Sequence, residues 1–272
     1  MRRRCFVKSV FANGIWKSGN NLLKKALYLM GSIDAGWGIG AHLLFGRDQI
    51  IRTLLRGSKN GRGVLAGLEV PITISPAWLQ YRLRQSAAKC VGGHAPYSLH
   101  LEKMLTDQDF RMIQIIRDPR DVLVSFAYWI EKRPDFFPYR LFAPLTVEER
   151  INTLMAGSSL DAGFVWEPFS VIMDRSLGWL KKDNVLVVRF EDLVGTHGGG
   201  DNIRQASALK RIAEWIGTQV DADMVAENLF GGTPTFRKGE IGNWNNVLTA
   251  KNRELFASAI GSERISYWGY KD

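Results

Sequence analysis

The sequence predicts an α/β fold built on a mostly parallel sheet that helices cover on both faces. Three observations carry this. Short apolar, β-branched runs of strand length recur along the chain, each is followed by a break, and helical apolar stripes alternate with them. The first unit runs from a strand over Phe6 to Ala12, through the break at Asn13-Gly14, to a helix over Asn20 to Met30. Lys89 to Gly93 reads as a short strand ending at His94, and Arg111 to Ile116 as another ending at Arg117-Asp118-Pro119. Asp121 is placed to cap or charge the first turn of a helix through Val122 to Ile130. Between 131 and 160 the periodicity weakens. Pro134, Pro138 and Pro144 stand there among Phe136, Phe137, Tyr139 and Phe142, which predicts an irregular lid or substrate loop. Beyond it, Phe169, Ile172, Met173, Leu177 and Leu180 form a helical stripe, and Val185 to Phe190 a buried strand. A last stripe of Ile203, Ala206, Leu209, Ala213 and Ile216 backs onto Arg204, Lys210 and Arg211.

At 272 residues and 46% hydrophobic composition, the chain is long enough to bury one substantial core, and residues 1–272 are read as one domain. Lysine and arginine total 36 against 27 acidic residues, a net charge of +9 that favours anionic ligands. The cations are dispersed rather than gathered in an aromatic-laced run, so nucleic acid is not the expected partner and a concave anion site is. Cys5 and Cys90 make neither a disulfide framework nor a metal spacing. Arg2 to Arg4 do not lead into a long apolar run, and Leu22 to Phe45 is interrupted by Lys24, Lys25 and Asp34. A cytoplasmic chain without a membrane span is expected.

In a parallel sheet, ligands bind beyond the carboxyl ends of the strands, and Lys17, His94, Arg117 and Glu191 all stand at or just after such ends. Three segments carry candidate chemistry. Trp16-Lys17-Ser18-Gly19-Asn20-Asn21 joins a strand to a helix, where free N–H groups and the helix dipole can hold a phosphate. Its lysine precedes the serine and glycine, so it is not the GxxxxGK(S/T) phosphate loop of ordinary nucleotide kinases. Arg117, with Ser125 eight residues on, offers a planar fork for a second phosphate. Arg237-Lys238-Gly239, followed by Glu240-Ile241-Gly242-Asn243-Trp244, reads as an anion-closing loop with Trp244 as its packing anchor.

Together these segments resemble the sulfotransferase family that uses 3′-phosphoadenosine-5′-phosphosulfate (PAPS). The first resembles the family's PKSGTTW loop, the second its R-(N/D)-P-(K/R)-D-x-x-V-S segment, and RKGEIGNWNNVLT resembles RKGxxGDWKNxxT. Arg189-Phe190-Glu191-Asp192-Leu193 resembles the YEDL segment, and the motifs fall in family order between about residues 6 and 250. The resemblance implies a P-loop-like three-layer α/β/α domain. It implies that Lys17, Ser18, Gly19, Asn20 and Asn21 hold the 5′ side of PAPS. Arg117 and Ser125 would hold the 3′-phosphate together with Arg237, Lys238 and Gly239, with Phe190 at the nucleotide. Gly92-Gly93-His94-Ala95-Pro96 stands in place of the family's THxP segment, which implies His94 as general base, while Lys17 would neutralise the leaving phosphate oxygen. The scheme calls for no metal. The product would be adenosine 3′,5′-bisphosphate (PAP).

The pattern departs from the family at Leu22, often tryptophan, at Phe190, commonly tyrosine, and at Asn243 and Asn245 in the last motif. Aromatic residues around 126–142 and Trp166 favour an apolar or aromatic-bearing alcohol, with lipid, glycan and natural-product acceptors also open. His42, His100 and His197 lack a comparable setting. Two other readings are a P-loop-like kinase, which demands a carboxylate-bound Mg²⁺, and a non-catalytic nucleotide- or nucleic-acid-binding module.

Overall fold

A computed structural model describes residues 8–43, 63–160, 164–232 and 238–271. Its centre is a five-stranded sheet formed by β1 (Val10–Gly14), β2 (Ile33–Ile39), β5 (Lys89–Gly93), β6 (Arg111–Ile116) and β9 (Val185–Arg189). The order is β2-β5-β1-β6-β9, and every pairing is parallel. Two short antiparallel pairs lie outside it: β3 (Val64–Leu65) with β4 (Thr73–Ile74), and β7 (Ser158–Ser159) with β8 (Val165–Trp166).

The strands are apolar on successive residues because both faces are covered. Phe11, Met112 and Ile116 join one core cluster, whereas Val10, Ala12, Ile113 and Ile115 join the other. The second cluster is roofed by α1 (Asn20–Leu29), α9 (Asn202–Ile216) and α10 (Ala222–Leu229) through Leu23, Leu27, Leu209 and Val225. The first is roofed by α4 (Pro119–Ile130), α6 (Val147–Ala156) and α7 (Phe169–Leu180) through Val122, Phe126, Ile151 and Ile172. The expected three layers are present.

The helix after β1 and the helix after β6 thus leave on opposite faces of neighbouring strands. That opens a crevice at the carboxyl ends of β1 and β6, the place where such sheets hold ligands.

Several expectations need correction. The first strand lies at Val10–Gly14 rather than 6–12, whose first two residues fall outside the described ones. Residues 131–138 are irregular as expected, but the rest of 131–160 is not: α5 (Tyr139–Phe142) is followed by α6, which Thr146 and Glu149 open with a reciprocal capping box. Arg150 on α6 is buried and donates to the carbonyls of Ala127, Phe142 and Ala143, so this segment packs into the core after its first turn. On α9 the buried face is Gln205, Ala208, Leu209, Ile212, Ala213 and Ile216, while Ile203 is 81% exposed. Leu209, Ala213 and Ile216 of the expected stripe are buried, and only its first two members, Ile203 and Ala206, turn away from the core. Asp118 caps α4, accepting from the N–H of Arg120, while Asp121 stands in the first turn as the acid that charges it, the other of the two roles the sequence offered. Among the described residues no helix is long and apolar enough to cross a membrane.

Candidate active site

Beyond the carboxyl ends of β1, β5 and β6 lies a cavity of about 440 Å³. Lys17, Gly19, Asn20, Asn21, His94, Arg117, Ser125, Phe190, Lys238 and Gly239 all line it. Arg237 lies outside the described residues. Ser18 does not reach the cavity: it is fully buried, and both its hydroxyl and its N–H donate to the carbonyl of Ile15, at 2.7 and 3.1 Å. Its side chain closes the turn instead of facing a ligand. Glu191 is also drawn away, accepting from the Asp118 N–H at 2.9 Å and the Tyr270 hydroxyl at 2.8 Å. It ties the end of β9 to the start of α4 and to the C-terminal segment.

The loop after β1 is shaped for an anion. Lys17 adopts a left-handed φ of 67° and Gly19 a φ of 110°. A Cβ at Gly19 would lie 2.8 Å from the Phe190 ring, so only glycine fits beneath it. Gly19 supplies no side-chain cap to α1, and the positive end of that helix, at Gly19 to Leu22, opens on the cavity. The Lys17 ammonium stands 5.2 Å from the centre of the Trp129 ring.

Arg117 ends β6 and is 7% exposed. Its fork donates to the carbonyls of Glu240 at 2.8 Å and Lys17 at 3.4 Å, its plane lies 4.2 Å over Phe190, and its Nε has no partner. Burial depresses its pKa, and the carboxylates of Asp121 and Glu191 oppose that. Asp121, one turn along α4, sits 3.9 Å from Arg117 and accepts from the N–H groups of Gly242 at 2.7 Å and Trp244 at 2.9 Å. It therefore clamps the 238–246 segment over the cavity. Trp244, between the guanidinium groups of Arg120 and Arg253 at 4.1 and 4.9 Å, anchors that segment as the sequence implied.

His94 follows β5. Asn13 holds the adjoining Ala95, accepting its N–H at 2.9 Å and donating to its carbonyl at 3.0 Å. The ring Nδ1 lies 2.7 Å from the carbonyl of Gly14. A carbonyl only accepts, so Nδ1 carries the proton and Nε2 keeps its lone pair. Trp16 stacks on the ring at 4.7 Å and 21°. Though the residue is half-buried, this cover desolvates the imidazole and pushes its pKa down to about 3; the charges of His42, Lys17 and Lys24 act the same way, against the Gly14 bond. His94 is thus neutral across the physiological range. Asn20 links it to the anion loop, donating to the Gly93 carbonyl at 2.8 Å.

A sequence profile of the sulfotransferase domain matches residues 10–230. The chain belongs to the sulfotransferase domain family. Among curated relatives, this sulfotransferase chain is 21% identical over 206 residues to sulfotransferase 2A1 of Rattus norvegicus, covering 64% of this chain and 63% of the relative. It is 25% identical over 203 residues to sulfotransferase 6B1 of Pan troglodytes, covering 63% and 60%. The matched segment thus spans somewhat under two thirds of those relatives. Mouse sulfotransferase SULT7A1, solved with PAP, superposes with a TM-score of 0.62 at 17% identity, covering 97% of this chain and 89% of the other. Retinol dehydratase, solved with androsterone and PAP, gives a TM-score of 0.59 at 16% identity, covering 94% and 80%. At these identities the structural likeness establishes the P-loop-like α/β fold.

The sequence left His42 without a setting and Asp121 without its site role. His42 lines the same cavity, beside His94: a Cβ on Gly40 would meet the His42 ring at 3.0 Å and the His94 Cβ at 3.6 Å. The role of Asp121 is missed because its partners lie more than a hundred residues away. Trp16, Trp129, Phe136 and Phe137 form one aromatic wall of the cavity, with Phe126 and Trp166 behind it. The density of aromatics was the only signal for it. Among the described residues no group of three or more histidine, cysteine or acidic side chains gathers as a metal site.

Proposed function

We propose that this sulfotransferase transfers the sulfuryl group of PAPS to a hydroxyl or amine of a small-molecule, lipid or glycan acceptor. The observation that carries the reading is the convergence on one cavity of two cationic grips, around Lys17 and Arg117, with a neutral imidazole whose tautomer leaves Nε2 as the base. The orphaned Nε of Arg117 and the uncapped start of α1 fit a nucleotide with two separate phosphate groups.

PAPS supplies the activated sulfur and a phosphate leaving group. The N–H groups at the start of α1 and Lys17 hold the 5′ side, while Arg117, Ser125 and Lys238 grip the 3′-phosphate. His94 Nε2 takes the proton of the acceptor as its oxygen or nitrogen bonds to sulfur, and the sulfur–oxygen bond to the phosphate breaks with its electron pair left on phosphate oxygen. Lys17 meets that growing charge in a partly dry site. The aromatic wall of Trp16, Trp129, Phe136 and Phe137 favours an apolar body on the acceptor.

Calorimetric titration with adenosine 3′,5′-bisphosphate, AMP and ATP in the absence of metal tests the reading. Selective, tight binding of the bisphosphate is expected. Equal affinity for AMP, or binding that requires ATP with Mg²⁺, would overturn it.

A further inference from the structure

Glu69, in the loop between β3 and β4, is 2% exposed, and among the described residues neither carboxylate oxygen meets a donor at full hydrogen-bond geometry. Its main chain is tied down on both sides. Its carbonyl accepts from the Glu167 N–H at 2.8 Å, and the neighbouring Leu68 N–H donates to the carbonyl of His94 at 3.2 Å. The carboxyl borders a void of about 10 Å³, which gives it room to turn. The groups around that void are Val122, Leu123 and Phe126 from α4, Leu154 from α6, Phe169 and Ile172 from α7, with Ile15, Trp16 and Trp166, none of them titratable. The donors that face the carboxyl are its own main-chain N–H and the main-chain and indole N–H groups of Trp16.

A buried carboxyl without a cation costs stability, so its place here calls for a gain elsewhere. Trp16 is where that gain falls. Its indole is the plate on which the His94 ring rests, and its other ring contacts, with Phe126, Trp129 and Phe136 at 4.8–5.8 Å, are apolar faces that allow sliding. The polar edge of the indole is the one part that a directional bond can fix.

We propose that Glu69 is a positioning residue, whose carboxyl accepts the indole N–H of Trp16 and so holds that ring flat against His94. This rests on the reading of His94 as the base. Burial raises the pKa of Glu69 to about 8, so the group is mostly a neutral acid near pH 7 and can anchor the indole through its carbonyl oxygen without placing a full charge beside the imidazole.

The test is nuclear magnetic resonance of the ¹⁵N-labelled full chain, with the Trp16 indole signal assigned by Trp16→Phe and the His94 ring signals by His94→Asn. Glu69→Leu is expected to shift the Trp16 indole N–H signal and the His94 ring signals and to raise the melting temperature. Glu69→Gln, which keeps a carbonyl acceptor, is expected to restore both sets of signals to near wild-type positions. A Trp16 signal unmoved in Glu69→Leu overturns the proposal, as does a moved Trp16 signal with unmoved His94 signals, or a failure of Glu69→Gln to restore them. Wild-type turnover in His94→Asn would instead sink the general-base reading, and the indole signal would still decide whether Glu69 anchors Trp16.

Discussion

Asp121→Asn isolates the clamp that holds the 238–246 segment over the cavity. The wild-type carboxylate is 2% exposed and satisfies two main-chain donors at 2.7 and 2.9 Å, with Arg117 at 3.9 Å. Asparagine offers one oxygen and one NH₂ group, so either the Gly242 or the Trp244 N–H loses its acceptor and meets a donor. Losing one hydrogen bond to a charged group costs about 1.5–3 kcal/mol, and a buried donor left unpaired costs about 1–3 kcal/mol more. Burial holds the pKa of Asp121 above its ordinary value, and the neutral asparagine relieves that desolvation, which places the loss in the lower half of the combined range. A loss of about 2.5–4 kcal/mol means roughly 70- to 1000-fold more frequent opening of the segment. Amide hydrogen exchange reads this directly at Trp244. Faster exchange there by that factor, with core amides of β1 and β6 keeping their protection, is the expected result, and bisphosphate affinity should fall in parallel. Unchanged exchange at Trp244 in a folded variant would show that the clamp is not what closes the segment.

Three further outcomes are expected. Arg117→Ala should weaken adenosine 3′,5′-bisphosphate by about 10- to 100-fold, the worth of a charged hydrogen-bonded grip, while leaving AMP affinity nearly unchanged; calorimetry showing equal losses for both would place the 3′-phosphate elsewhere. His94→Asn should lower single-turnover sulfuryl transfer by about 10²- to 10⁴-fold with bisphosphate affinity within about twofold of wild type, and wild-type rates would remove the histidine from the mechanism. Because His94 is neutral down to about pH 3 when folded but titrates near its ordinary value when unfolded, the unfolded chain binds the extra proton in that window. Its contribution to stability is therefore complete above about pH 6.5 and is lost as pH falls towards 3, and kcat/KM should show no inflection near 6.5. An acid limb at pH 6.5 that disappears in His94→Asn would refute that assignment.

The sequence by itself determined the alternation of strands and helices, because strands buried on both faces must be apolar at successive positions and roofing helices must carry a stripe. It also placed Lys17, His94 and Arg117 at strand ends, and the ordered motifs pointed to the family. Folding decided what local patterns do not encode. Ile203 looked like part of a buried stripe, but the face of α9 that meets the sheet lies elsewhere. Residues 131–160 looked irregular because their prolines fall between helices rather than within them, and the burial of Arg150 depends on carbonyls of neighbouring elements. Ser18 and Asn20 sit in one motif, yet only Asn20 lines the cavity, since the tight turn spends the serine hydroxyl on Ile15. Asp121 was legible as a helix-start acid and not as the holder of Trp244. Its partner comes from a segment more than a hundred residues away, and only the parallel sheet brings the two together.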